Sequence, residues 1–386
     1  MRQHFPFRSA VRLALLVTVA SCGSDPTGPT VTFPLSMMAP AAFHTCGLGS
    51  GGVVYCWGRN SSGELGDNTT FARLSPAAVG GSVHFQSIVA GHSHTCGLDA
   101  NGAAWCWGSN ESGELGDGTT VNRLVPTLVS GGHVFESIAG GQVHTCGLTA
   151  QGAAWCWGSN NAGRLGDGTT TNRPTPVAVI GGLLFDSIEL GIAYSCGLTA
   201  ARLAYCWGYN GQGAVGDGTD TDRLEPAPVT GGLNFVSLGA GVGSHICGVT
   251  SLGAVYCWGA NSRGQLGNGL TDNTSSVPVR ALLNEVAVKV VAGGGETCAL
   301  IGTGAVWCWG SNGFGQLGTG TTSTESAVPV QVIGGFQFQS LWQSGNSPCA
   351  LTSSGAAYCW GRNDFGQLGD GSTTHRSSPT RVLDPG

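Results

Sequence analysis

Charge is scarce in this 386-residue chain: Asp, Glu, Lys and Arg make up 10% of it, and Lys289 is the sole lysine. A chain this poor in cations, with a formal net charge of −6, excludes the basic stripe by which proteins neutralise nucleic-acid phosphates. It offers no attraction to anionic lipid headgroups either. Solubility must rest on Ser, Thr, Asn and exposed backbone. Long hydrophobic runs are missing as well; the apolar stretch Leu13 to Ala20 is too brief to span a bilayer. No window repeats its apolar residues with a 3.6-residue period, and 67 glycines are scattered through the chain, which together exclude stacked helical pairs. Motifs that betray enzymes are also absent. There is no Gly-x-Ser-x-Gly elbow, no phosphate-cradling glycine loop with lysine, and no His-Glu-x-x-His.

What is present is repetition. Cys-Trp-Gly occurs seven times, beginning at Cys56, Cys106, Cys156, Cys206, Cys257, Cys308 and Cys359, in steps of 50 or 51 residues. So regular a period means one supersecondary unit copied seven times. Within one copy, four short apolar runs are separated by Gly, Asn, Asp and Ser: Phe85 to Gly91, Ser93 to Asp99, Ala103 to Gly108, and Pro126 to Val129. Four short strands per copy predict an all-β, seven-bladed propeller of four-stranded antiparallel blades. The first strand aligns at Leu35 to Met38 and the last at Pro379 to Leu383, so both termini meet where the ring closes. Whether one blade is shared between them stays open. Trp57, Trp107, Trp157, Trp207, Trp258, Trp309 and Trp360 recur in every copy and read as wedges between blades. The aromatics two residues earlier (Tyr55, Trp105, Trp155, Tyr205, Tyr256, Trp307 and Tyr358) lie on the same face by strand alternation.

Each copy has a second cysteine ten residues before the first: Cys46, Cys96, Cys146, Cys196, Cys247, Cys298 and Cys349. If Cys96 and Cys106 oppose each other on a hairpin, Asp99 pairs with Ala103 and the loop is Ala100-Asn101-Gly102. Such a loop favours a left-handed glycine at its last position. Six copies have it (Gly52, Gly102, Gly152, Gly253, Gly304 and Gly355), and the fourth has Arg202. Opposed Cα atoms in a non-hydrogen-bonded pair lie ~4.5 Å apart, close enough for a disulfide. Seven intrablade disulfides are therefore expected: Cys46–Cys56, Cys96–Cys106, Cys146–Cys156, Cys196–Cys206, Cys247–Cys257, Cys298–Cys308 and Cys349–Cys359. Two sulfurs per hairpin are too few for zinc.

Disulfides imply an oxidising compartment, and the N-terminus agrees. Arg2, Arg8 and Arg12 precede the short apolar run, as in a signal peptide. Val19-Ala20-Ser21-Cys22 resembles the bacterial lipobox, in which the cysteine is lipidated. Of 15 cysteines Cys22 is the one left unpaired. Residues 1–21 are expected to be a lipoprotein signal peptide, 22–34 the lipidated cysteine and a Pro/Gly tether, and 35–386 the propeller. From Cys22 onward, 13 basic residues face 22 acidic ones, a net charge of −9. The reading is an exported monomer held to a bacterial membrane by lipid alone, at the periplasmic face or cell surface.

The unit His-Thr-Cys-Gly-Leu, then Trp-Cys-Trp-Gly-Ser-Asn-x-x-Gly-x-Leu-Gly-Asp-Gly-Thr, then Pro, resembles the repeat of the regulator of chromosome condensation family. Seven such units cover roughly residues 35 to 383. The resemblance implies a seven-bladed propeller. Its eukaryotic founder is a nuclear exchange factor for a small GTPase. Guanine-nucleotide exchange is not expected of an exported, acidic chain. The fold also resembles a secreted propeller-type inhibitor of β-lactamase, whose loops at one end of the ring cover an enzyme.

Several recurring residues invite a chemical reading. His44, His94, His144 and His245 each precede the first cysteine of a copy by two residues, where the other copies have Tyr194, Glu296 and Ser347. A ring of imidazoles suggests metal, but a repeated residue hydrogen-bonded within its own blade is the reading preferred. Asp67, Asp117, Asp167, Asp217 and Asp370 follow the Leu-Gly or Val-Gly step, with Asn268 and Thr319 in copies five and six. Calcium needs six or more converging oxygens, so one Asp per Gly-rich turn is expected to close an Asx-turn. No metal or cofactor is expected.

Binding is expected where the copies disagree. After Trp-Gly stand Arg59, Ser109, Ser159, Tyr209, Ala260, Ser311 and Arg362; three residues on stand Ser62, Ser112, Ala162, Gln212, Arg263, Phe314 and Phe365. Phe43, His92, Val143, Tyr194 and Asn346 vary likewise before the cysteine. Tyr209, Arg263, Phe314, Arg362 and Phe365 carry the anchoring chemistry of interfaces and are the expected contact surface. The function expected is a non-catalytic, lipid-anchored scaffold of the bacterial envelope that contacts an extracytoplasmic protein. The alternatives are an inhibitor of an extracytoplasmic enzyme and a polysaccharide hydrolase or lyase with Asp364 or Glu111 near the channel entrance.

Overall fold

A computed structural model describes residues 33–271, 274–322, 325–343 and 345–385. Cys22, the expected signal peptide and most of the expected tether lie outside the described residues. No helix among the described residues is long and apolar enough to cross a membrane.

The glycine-punctuated apolar runs form seven four-stranded antiparallel sheets, each built from four consecutive strands. The blades span residues 37–78, 85–128, 137–178, 187–228, 235–280, 287–331 and 338–381. Blades 1 and 7 are each complete, so no strand is exchanged between the termini. The seam is closed by the same kind of contacts as other junctions: Leu35 N–H donates to Gly355 O at 3.1 Å, as Phe135 N–H does to Gly102 O at 2.8 Å, and Leu35, Met38 and Trp57 pack with Leu351, Leu368 and Val382.

Strand limits differ from the expected ones at the first and last strands. The innermost strand of blade 1 is Met37–Pro40 and the outer strand of blade 7 is Arg376–Arg381. In blade 2 the outer strand is Arg123–Leu128, so Pro126 sits inside it rather than at its start. The strand is an edge, paired on one side, and its register shifts opposite Cys106 and Gly108 of the neighbouring strand. A missing N–H is tolerated there.

The hairpins follow the sulfur register. Cys96 opposes Cys106 and Gly97 opposes Trp105, and all seven disulfides are formed with Cα separations of 4.0–4.2 Å. Gly102 is left-handed (φ +76°), and Arg202 adopts the same conformation (φ +64°) with a side chain. At Gly102 a Cβ would also lie 2.6 Å from Phe135 O of the next blade, so the glycine serves the junction as well as the turn.

Apolar burial is divided among the junctions between blades. In one of them Leu48, Val54 and Leu65 of blade 1 pack with Phe85, Ile88 and Trp107 of blade 2, and Trp105 packs against the same group. The seven tryptophans are wedges as expected, each fully buried. Trp107 Nε1 donates to Glu64 O of the preceding blade at 2.9 Å, and Trp309 Nε1 to Gln265 O at 2.8 Å. The Leu-Gly step exists because of this wedge: a Cβ on Gly66 would meet Trp107 Nε1 at 2.8 Å. Inside the ring lies a cavity of about 280 Å³, lined by the innermost strands of all seven blades.

Candidate functional site

Antiparallel order sends two sets of loops to opposite ends of the ring. The three-residue hairpins lie at one end; the long loops after Trp-Gly and the short loops before each first cysteine lie at the other. Every variable position singled out from sequence belongs to this second end, termed here the Asx end.

Its loops have a common skeleton. The buried Asn60 accepts from Leu65 N–H at 2.9 Å and donates to Asp67 Oδ1 at 3.1 Å. Asp67 Oδ1 in turn accepts from Thr69 N–H at 3.0 Å, closing the Asx-turn. Asp67 Oδ2 takes the Arg73 guanidinium at 2.8 Å. Burial opposes ionisation of Asp67, but the bonds from Thr69 and Arg73 outweigh it and hold the carboxyl below its ordinary value. Asp117–Arg123, Asp167–Arg173, Asp217–Arg223 and Asp370–Arg376 repeat the pair. In blades 5 and 6 both partners are replaced together: Asn268 with Ser275, and Thr319 with Ser326, the serines holding Arg73's place opposite the Trp-Gly glycine. Both oxygens of each carboxylate are thus taken by the protein's own donors. No group of three or more metal-ligating side chains occurs among the described residues.

The histidines bond differently from the expectation. They reach the next blade rather than their own: His44 Nε2 meets Thr95 Oγ1 at 2.8 Å, His94 meets Thr145 at 2.9 Å, His144 meets Ser195 at 3.1 Å and His245 meets Thr297 at 2.9 Å. Thr95 already donates to Glu64 O at 3.0 Å, so His44 must donate from Nε2. Each Nδ1 is buried without a partner. Burial pushes His44 down to about 3 and His94 and His245 down to about 4, so these imidazoles are neutral at pH 7. Tyr194 crosses the same kind of junction, donating to His245 O at 2.7 Å. Glu296 accepts from Gln343 of blade 7, and burial raises it to about 8. Ser347 alone bonds within its own blade, to Arg362 O at 2.9 Å.

Over the seam, the variable side chains converge. Phe43 is the hub. The Arg59 guanidinium lies 4.7 Å from its ring centroid and that of Arg362 lies 5.0 Å from it. His92 and Phe365 meet Phe43 edge-on at 4.9 and 5.4 Å. Arg362 also lies 5.2 Å from Phe314, which meets His375 at 5.0 Å. These groups come from blades 6, 7, 1 and 2 and are half-buried. Both cations are oriented: Arg59 pairs with Glu64 at 2.9 Å and donates to Ser93 Oγ at 2.7 Å, and Arg362 pairs with Asp364. Burial, with Arg59 next in effect, pushes the His92 imidazole below its ordinary value. Each cation–π contact is worth ~0.5–2 kcal/mol, more as water is excluded.

Of the five residues expected to form a contact surface, the structure joins Phe314, Arg362 and Phe365. Arg263 stands in the adjoining loop, ion-paired with Glu325 across blades 5 and 6. Tyr209 is separate, its hydroxyl folded over Gly211. Asp364 is engaged by Arg362 and, at 3.5 Å, faces His375; Glu111 lies in the blade 2 loop, outside this group. Phe43, Arg59 and His92 stood among the variable positions but were not singled out. Their signal was adjacency across the seam, which becomes visible once the ring is closed.

Comparison with known proteins places these features in context. The family described as "Regulator of chromosome condensation (RCC1) repeat" matches residues 51–98, 101–148, 151–198, 253–301, 303–340 and 354–386. A probable E3 ubiquitin-protein ligase, HERC4 of Rattus norvegicus, is 31% identical over 144 residues, 36% of this chain and 14% of that protein. The chain thus spans a small fraction of that relative's length. Human WBSCR16 superposes with a TM-score of 0.78 at 23% identity, covering 86% of this chain and 94% of the other. Prp20p of Saccharomyces cerevisiae, studied for its binding to Gsp1p and histones, superposes with a TM-score of 0.77 at 22% identity, covering 91% and 88%.

Proposed function

The chain belongs to the regulator of chromosome condensation (RCC1) repeat family, and from that premise we propose that it is a non-catalytic binding scaffold whose Phe43-centred surface docks a protein partner outside the cytoplasm. One observation carries the reading. Four blades contribute two guanidinium groups, three phenylalanines and two histidines to one half-buried group, although the repeat needs none of them to build a blade. Arg and aromatic side chains held in place before contact lose little entropy on docking. Seven disulfides suit an oxidising compartment. The lipobox-like Val19-Ala20-Ser21-Cys22 supports anchoring to a bacterial membrane through lipid. An inhibitor that covers an extracytoplasmic enzyme is a particular form of this reading.

The test is photo-crosslinking in the producing cell's envelope, with a benzophenone side chain at Phe365 or, as control, at Leu252 in a hairpin loop. The expected result is one discrete protein adduct from position 365, lost in Arg362→Ala and absent from position 252. No adduct from position 365, or equal adducts from both ends, overturns the proposal.

A further inference from the structure

The channel holds a second chemistry, distinct from the surface over the seam. Its wall is the innermost strand of each blade, paired on one side only, so each strand leaves a row of N–H and C=O groups unpaired along the axis. Met37, Val89, Ile138 and Leu238 contribute apolar wall to the 280 Å³ cavity. Three residues break the pattern. Lys289 of blade 6 holds the strand position that is Met37, Ser87, Ser137, Ser187, Ser237 and Ser340 elsewhere. Two residues further along, opposite the first cysteine, five blades have Ala39, Val89, Ala139, Gly239 and Val291, whereas blade 4 has Glu189 and blade 7 has Trp342.

The Lys289 ammonium lies 5.0 Å from the Trp342 ring centroid. Glu189 and Lys289 feel each other's charge, yet no ion pair joins them, and neither side chain has a hydrogen bond among the described residues. Burial drives Glu189 up to about 7 and Lys289 down, each opposed by the other's charge. An acid and a base on one channel wall, close enough to interact and joined by no ion pair, offer complements to a molecule that carries both a cation and an anion. A simple anion would leave Glu189 repelling it, and a simple cation would be repelled by Lys289. The volume is at the small end of ligand pockets, ~300–1,000 Å³.

We propose that the channel binds a small zwitterion with an apolar body, of the α-amino-acid class, its carboxylate on Lys289, its ammonium on Glu189 and its hydrocarbon chain on the apolar wall. The test is titration calorimetry on the disulfide-bonded chain from residue 23 onward with L-valine, L-leucine and L-phenylalanine. Two half-probes, 4-methylpentanoate and 3-methylbutylamine, are titrated in parallel. At least one amino acid is expected to bind, with affinity reduced tenfold or more in Lys289→Met and in Glu189→Gln and unchanged in Leu252→Ala, an exposed hairpin-loop position. On the unmodified chain each half-probe should bind at least tenfold more weakly than L-leucine, a comparison independent of any variant's folding. No amino-acid binding at millimolar concentration, binding indifferent to both substitutions, or 4-methylpentanoate binding as well as L-leucine overturns the proposal.

Discussion

In blade 2 the Asx-turn sets Asp117 against Arg123, His94 donates to Thr145 of blade 3, and Ser87 stands on the innermost strand. In blade 6 the same positions are Thr319 and Ser326, Glu296 bound by Gln343, and Lys289. Yet both blades keep the disulfide, the tryptophan bond to the preceding blade and the left-handed hairpin glycine (Gly102, Gly304). Two layers of construction are thereby separated. Sulfur and tryptophan hold the ring in every blade, and the hairpin glycine in all but blade 4; polar positions add strength in some blades and are released in others. Release is paired: where the acid is lost the arginine is lost too, leaving no partly buried charge unmatched.

The strongest challenge to this equivalence is at the wedge. Trp107→Ala and Trp309→Ala should each cost about 3–5 kcal/mol in urea unfolding, with values agreeing to within about 1 kcal/mol. A gap of several kcal/mol would mean the junctions are not interchangeable.

Next in size is pH dependence, where the two blades should respond oppositely. His94 has a folded value of about 4, below its ordinary 6.5. The unfolded chain therefore binds the proton first, and stability is lost as pH falls from 6.5 toward 4. Glu296 is raised to about 8 from 4.5. The folded chain keeps the proton, and stability is lost as pH rises from 4.5 to 8. Relative to the parent, His94→Gln should gain stability toward acid and Glu296→Gln toward alkali, each by a few kcal/mol at most across its window. Parallel profiles for the two variants would contradict the assignment.

The Asx-turn pair gives a smaller effect. Asp117→Asn should cost about 1–2 kcal/mol, and Thr319→Ala less than about 0.5 kcal/mol. The double variant Asp117→Asn/Arg123→Ala should cost less than the sum of its parts. Because these carboxyls are depressed, the pair's contribution is full above the usual carboxylate value and disappears as pH falls through the lowered one. A change of opposite sign is expected at the odd hairpin: Arg202→Gly should raise the unfolding midpoint by the equivalent of about 0.5–1 kcal/mol, since a left-handed residue with a Cβ is strained.

Most of the ring was legible in the sequence because its determinants are local. The ten-residue cysteine spacing set the hairpin register, and the glycine at its loop followed from that register. The histidine bonds were misassigned for a reason inherent in repetition: in a periodic chain, the threonine one residue after the histidine and the threonine one repeat later look alike. His44 uses the later one, Thr95, whereas its neighbour Thr45 reaches back to Gln367 O of blade 7 at 2.8 Å. The Phe43 group was hidden by the same distance, since Arg362 and Phe43 lie at opposite ends of the chain. Strand limits were obscured by prolines that an unpaired edge accommodates.

Because every blade is finished before the next begins, the ring has no privileged starting point. Circular permutation makes this concrete. A chain opened at the Gly231-Gly232 connection, with residue 383 joined to residue 34 by a short linker, would contain the same seven blades and the same seven junctions. The toroid itself is indifferent to where its chain is opened.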